Sequence, residues 1–269
     1  MFHVPSTDGT PIAIHESGRG APLILIHGSS SGSRRWLPIL DILDGHFTVY
    51  RMERRGRGAS GDGAAYSIAR EVEDIVAVLQ SIPDRLNVLA HSYGAICALE
   101  AARALDNIDR LILYEPPIPV NGPLHPPGTI DRIQACIDAG DLEGAYCTFA
   151  LEALKRPQQE IDRLRRLPAW SVYLDMVPTL PREMAEVDRY RFDADRFRDF
   201  RIPTLLLNGG ESPPHFAAAL DLLRAALADT RTVILPGQEH IAMDTAPRLF
   251  VREVLHFLLP DESTMNERQ

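Results

Sequence analysis

The chain has 269 residues, a formal net charge of −9, 45% hydrophobic residues and 24% charged residues. It is long enough to bury on the order of 75% of its unfolded surface, and its composition is that of an ordinary globular protein. The acidic balance without a long basic run argues against a nucleic-acid partner, and no apolar run approaches the ~18 residues a membrane span needs.

Two smaller features set the expected compartment. The start, MFHVPSTDG, has no charged region followed by an apolar stretch, so no secretory signal is expected. Cys97, Cys136 and Cys147 are odd in number and lack CxxC spacing, so they read as reduced packing residues of a cytoplasmic protein. All but one of the 28 basic residues are Arg, which reads as a lineage bias rather than a binding signal.

Taken in chain order, residues 11–15 read as an antiparallel edge strand and 22–26 (PLILI) as a buried strand. A helix near 35–43, a strand at 47–51, a helix at 67–81, a strand at 86–89, a helix at 95–105 and a strand at 111–114 follow. The pattern resumes with a strand at 204–207, a helix at 215–228, a strand at 232–235 and a helix at 247–259 that Asp244 is expected to cap. Short apolar strands without clean alternation are those covered on both faces. Strands alternating with helices predict an α/β protein with a mostly parallel sheet flanked by helices.

The alternation breaks between 116 and 201. A Pro-rich opening (PPIPVNGPLHPPG) leads into helical patterns at 130–139, 142–154 and 158–167, then a part bearing Trp170, Tyr173 and Met176. A structureless loop of that length is unusual. A helical lid over 118–200 is therefore expected, inserted into a core of 1–117 and 201–269. The tail after Pro260 is expected to fray.

Ligands of such sheets bind at the carboxyl ends of the strands. The residues arriving there are HGSSSG from His27, ERRGRG from Glu53, Ser92, Glu115, the segment NGGES carrying Glu211, and GQEH ending in His240. A serine, two carboxylates and a histidine thus share one edge, in the order Ser, acid, His. Ser92 lies in AHSYGA, a sharp strand-to-helix turn flanked by the small residues Ala90 and Gly94. It is either a helix N-cap or a nucleophile activated by a base. His240 is the candidate base, or a loop histidine paired with Asp244. RRGRG lacks the Lys-Ser/Thr ending of a phosphate loop and reads as a turn whose arginines pair with nearby carboxylates. The histidines show no metal-ligand spacing, so neither metal nor cofactor is expected.

These residues give the chain a resemblance to the α/β-hydrolase superfamily over nearly its whole length. HGSSSGSRRW is similar to that family's HG loop, ERRGRGAS to its Arg-Gly-x-Gly turn, AHSYGA to its nucleophile elbow and GQEHIAMDTAP to its catalytic-histidine segment. Ala90 replaces the elbow's usual first glycine, and Ser212 stands where an Asp is common. The resemblance implies an α/β-hydrolase fold with an inserted helical cap, Ser92 as nucleophile, His240 as base, and the Ser29 and Tyr93 amides as the oxyanion hole. It implies Glu211 as the acid, with Glu115 as the alternative acid one strand earlier. His27 is expected to shape the oxyanion loop, and His91 to point away from Ser92. The implied activity is a serine hydrolase that cleaves a carboxylic ester, lactone or thioester of a small molecule with an apolar portion. The alternatives are a carbon–carbon bond hydrolase, a cofactor-free haloperoxidase-like enzyme, or a receptor-like protein that only binds.

Overall fold

Eight strands form one sheet in the order β1-β2-β4-β3-β5-β6-β7-β8. They are β1 (Phe2–Pro5), β2 (Pro11–Gly18), β3 (Ala21–Ile26), β4 (Phe47–Met52), β5 (Leu86–His91), β6 (Ile108–Tyr114), β7 (Thr204–Gly209) and β8 (Thr230–Leu235). The β1–β2 and β2–β4 pairings are antiparallel, and those from β4–β3 to β7–β8 are parallel. The computed structural model describes residues 1–167 and 170–259; the tail expected to fray lies outside the described residues. β1 has no counterpart among the strands expected from sequence. It has four residues, of which only Val4 is buried, and so carries little apolar signal.

The alternation of side chains explains why the strands read as unbroken apolar runs. On β3, Ile24 and Ile26 face one core, while Leu23 and Leu25 face the other. The first core receives α2 (Ile68–Gln80), α3 (Tyr93–Ala102) and α9 (Pro214–Ala226). The second receives α1 (Leu37–Asp44) and α11 (Pro247–Leu258). Both faces are therefore covered, and neither needs polar positions. α2 starts where Ser67 accepts a hydrogen bond from the Arg70 amide at 3.3 Å. Asp244 does not cap the last long helix: it lies within the short α10 (Ala242–Thr245) and pairs with Arg35, and Ala246 occupies the cap position.

Between β6 and β7 there is no strand among the described residues. α4 (Thr129–Asp138), α5 (Leu142–Thr148), α6 (Gln158–Leu164), α7 (Trp170–Asp175) and α8 (Leu180–Arg189) fill this insertion. They bury a small core of their own around Ile133, Tyr146, Phe149, Ile161, Leu180 and Met184. Trp170 and Tyr173 pack on Tyr146, with ring centroids at 5.0 and 5.6 Å, so they serve that core. No helix among the described residues is long and apolar enough to cross a membrane.

The RRGRG turn after β4 is an ion-pair junction. Arg55 grips Asp74 of α2 in a two-pronged pair, Nε to Oδ2 at 2.6 Å and Nη2 to Oδ1 at 2.7 Å, with both side chains fully buried. Asp8 meets the same guanidinium at 3.1 Å from the surface side. Breaking one partner of a buried pair strands the other charge. Asp74→Asn is therefore expected to lower stability by about 3 kcal/mol, since Asp8 still compensates part of the charge. A urea unfolding midpoint unchanged from wild type would contradict this.

Candidate active site

β5 runs into α3 through Ser92, whose backbone has φ +55° and ψ −128°. A non-glycine residue at positive φ costs roughly 1–3 kcal/mol and persists only where the surroundings enforce it. The enforcement is visible. The Ser92 amide donates to the Tyr114 carbonyl at 2.9 Å, and the Ala95 amide donates to the Ser92 carbonyl at 2.8 Å. Ser92 occupies the N-cap position of α3, but its hydroxyl makes no capping bond. The side chain is thus free of the role that the cap reading assigned to it.

The turn after β3 passes directly over this elbow. A Cβ at Gly28 would come within 2.7 Å of the Ser92 Cβ, and one at Gly94 would overlap the His27 carbonyl oxygen. Glycine at both positions permits the approach. Among the described residues, neither the Ser29 amide nor the Tyr93 amide has a protein hydrogen-bond partner. These are the two donors expected at an oxyanion hole, and Tyr93 opens α3, whose N-terminus favours negative charge.

His240 lies in the loop after β8. Its Nδ1 is 2.5 Å from Oε2 of Glu115, the residue that follows β6. Glu115 is fully buried, has φ +48°, and accepts a second hydrogen bond on Oε1 from the Gly209 amide at 2.6 Å. A buried carboxylate on Nδ1 fixes the imidazole tautomer and leaves Nε2 to take a proton. Glu211, the acid expected from chain order, is exposed. It is turned outward by a tight turn in which its amide donates to the Gln238 carbonyl at 2.9 Å and the Ser212 amide to Gly209. The structure brings together Glu115 and His240, and not Glu211 and His240. The physical reason is the local path of the backbone: the left-handed φ of Glu115 turns its side chain under His240, whereas the tight turn at Glu211 carries that side chain to solvent. Nor does His240 pair with Asp244, which is taken by Arg35.

Two histidines are structural supports of the site. Burial holds the pKa of His91 well below the ordinary histidine value, so it is neutral. Its Nε2–H donates to the His240 carbonyl at 2.8 Å. Its ring lies 4.5 Å from that of His240, and the His240 ring also stacks on Phe216 at 4.6 Å. Burial likewise depresses His27, whose Nδ1–H donates to the Gly28 carbonyl at 2.9 Å while Nε2 accepts from the Arg54 amide at 3.1 Å. Tyr114 completes the tether: its hydroxyl donates to the Glu239 carbonyl and accepts from the Ala242 amide. Tyr114 and Phe216 looked like plain strand and helix residues in the sequence, and only the fold shows that they clamp the histidine loop. Among the described residues no cluster of metal-ligating side chains occurs.

The likeness to known proteins agrees with this architecture. Residues 23–253 match the profile of the alpha/beta hydrolase family. The chain belongs to the alpha/beta hydrolase family. It is 25% identical over 259 residues to the 2-(acetamidomethylene)succinate hydrolase of Mesorhizobium japonicum, covering 91% of this chain and 90% of that one. It is 32% identical over 140 residues to the N-formylmaleamate deformylase of Pseudomonas putida, covering 48% of this chain and 52% of that one. The crystal structure of an alpha/beta hydrolase from Sphaerobacter thermophilus superposes with a TM-score of 0.84 at 33% identity, covering 95% of this chain and 99% of that one.

The geometry separates the two candidate acids experimentally. Glu115→Gln is expected to cut kcat by about 10³–10⁴-fold, as when an orienting carboxylate is neutralised, while Glu211→Gln leaves it within about twofold. Turnover of the two purified variants on one chromogenic acyl substrate checks this, and a larger loss in Glu211→Gln would refute it.

Proposed function

We propose that this alpha/beta hydrolase is a serine hydrolase with Ser92 as nucleophile, His240 as general base and acid, and Glu115 as the orienting carboxylate. The observation that carries the reading is the 2.5 Å Glu115–His240 pair, on the sheet edge where Ser92 is held at a strained positive φ. A serine hydroxyl is a weak nucleophile until a base accepts its proton during attack. In the reaction, Oγ of Ser92 adds to the substrate carbonyl as Nε2 of His240 takes the proton. The tetrahedral oxyanion is bound by the Ser29 and Tyr93 amides, each worth about 3 kcal/mol in the transition state. Collapse transfers the proton from His240 to the leaving group and forms an acyl-serine. Water, deprotonated by His240, then releases the acid and restores Ser92.

The bond proposed is an acyl–nitrogen bond in a small molecule that carries carboxylates. The names of the two sequence relatives support this class: both denote N-acyl compounds, built on succinate in one and on maleamate in the other. The ester, lactone or thioester reading from sequence uses the same catalytic groups but lacks that support. The relatives favour the alternative to simple ester cleavage instead.

The deciding experiment compares wild type and Ser92→Ala. A fluorophosphonate probe is expected to label wild type only. N-formylmaleamate and 2-(acetamidomethylene)succinate are expected to be turned over with larger kcat/KM than p-nitrophenyl acetate. Ser92→Ala should lose about 10⁴-fold or more in kcat. An unlabelled wild type would overturn the serine mechanism and revive the receptor-like reading, and preference for the nitrophenyl ester would return the bond class to esters.

A further inference from the structure

The insertion reaches the oxyanion turn through one buried carboxylate. Glu183 of α8 is fully buried, and its Oε1 receives both Nη2 of Arg54 at 3.0 Å and Nη2 of Arg57 at 2.8 Å. Burial pushes its carboxyl up, but the two guanidinium groups outweigh that and hold it below its ordinary value, so it is charged. The Ser29 hydroxyl also stands beside it and lowers it further, although Oε2 makes no hydrogen bond of good geometry. The same two guanidinium groups grip the turn itself. Arg54 Nη2 donates to the Gly28 carbonyl at 3.2 Å, and Arg57 Nε donates to the Ser31 carbonyl at 3.2 Å. Arg54 Nη1 is anchored to Glu71 of α2 at 2.8 Å.

The Gly28 carbonyl matters because of peptide geometry. In a planar trans peptide the C=O of Gly28 and the N–H of Ser29 point in opposite directions. Arg54 and His27 both draw on that carbonyl. Fixing it therefore fixes where the Ser29 N–H points.

We propose that Glu183 is a positioning residue: by holding Arg54 and Arg57, the insertion sets the direction of the Ser29 amide and so tunes the oxyanion hole. The inference rests on the serine-hydrolase reading above. Mere docking of α8 does not require Glu183. Arg182 pairs with Asp62 at 2.9 Å, and Glu186 accepts from the Ile68 amide at 2.8 Å. Neither of those contacts reaches the turn.

The test is the second-order rate of fluorophosphonate labelling at Ser92, with the inhibition constant of phenylboronic acid, an oxyanion-forming probe, as the second readout. Wild type, Glu183→Gln, Glu186→Gln and Arg54→Lys are compared, with melting temperature recorded for each. Glu183→Gln is expected to slow labelling about 10–100-fold, less than outright loss of an oxyanion donor, and to weaken phenylboronic acid by a similar factor. KM for p-nitrophenyl acetate should stay within about threefold. Glu186→Gln is expected to lower the melting temperature without slowing labelling. A folded Glu183→Gln that labels at the wild-type rate overturns the proposal, and so does equal slowing in Glu186→Gln, which would reduce the effect to docking. If Glu183→Gln does not fold, Arg54→Lys decides. It keeps the buried charge but lacks the fork that reaches Glu183 and the Gly28 carbonyl at once, so slowed labelling supports the link and a wild-type rate overturns it. Absence of labelling in wild type would instead mean that the serine-hydrolase reading has failed.

Discussion

The contact on which the site depends is backbone against backbone. β3 and β5 are adjacent parallel strands, with Ile26 beside Ala90, and paired strands lie only about 4.8 Å apart. The turn leaving one strand must then cross the elbow leaving the other with almost no room. Gly28 and Gly94 supply that room by lacking a Cβ. The same crossing places the Ser29 and Tyr93 amides on the side of Ser92. The positions proposed for nucleophile and oxyanion donors are thus set by strand pairing, before any other side chain is considered.

The histidine has further to come. β8 is three places from β5 in the sheet, so the loop bearing His240 has to lie across the ends of β6 and β7. It is tied there by groups from the central strands: the Tyr114 hydroxyl at Glu239 and the His91 imidazole at the His240 carbonyl. Glu115 then meets His240 from below. Its positive φ, like that of Ser92, is unfavourable in isolation. Two residues of the site sit on strained backbone, and the rigid parallel strands on either side are what hold them there.

Much of this was legible in the sequence. The continuous apolar strands, the strand–helix alternation and the small residues around Ser92 each have one good physical explanation. The helical insertion was legible from periodicity and from the improbability of a long structureless loop. The acid was not. Glu115 and Glu211 both follow apolar strands and both precede His240. What separates them is the local path of the backbone: a left-handed turn buries Glu115 under the histidine, while a tight turn carries Glu211 to solvent. Glu183 was unreadable for a related reason. In LPREMAEVDR it resembles an ordinary polar position of an amphipathic helix. Only the docking of α8 onto the RRGRG turn makes it a buried counter-ion.

That turn raises the question of why so many charges are buried at all. Buried ion pairs are poor stabilisers, because desolvation offsets most of their attraction and a well-packed apolar substitute is often as stable. Stability alone is therefore a weak reason for Arg54, Arg57, Glu71 and Glu183 to be buried together. An apolar cluster could fill the same volume, but it could not donate to the Gly28 and Ser31 carbonyls; Ser31 would then be left unpaired in the interior at a cost of about 1–3 kcal/mol, and Gly28 would be held by His27 alone. A lysine could reach one carbonyl, but it lacks the planar fork that addresses a carbonyl and a carboxylate at once. The arginines are thus explained by direction: they hold peptide groups at fixed angles, and their carboxylate partners balance the buried charge while they do so. Two of those partners come from different parts of the chain, Glu71 from the sheet-packed α2 and Glu183 from the insertion. The turn after β3 is consequently held by arginines whose carboxylate partners come from both the core and the insertion.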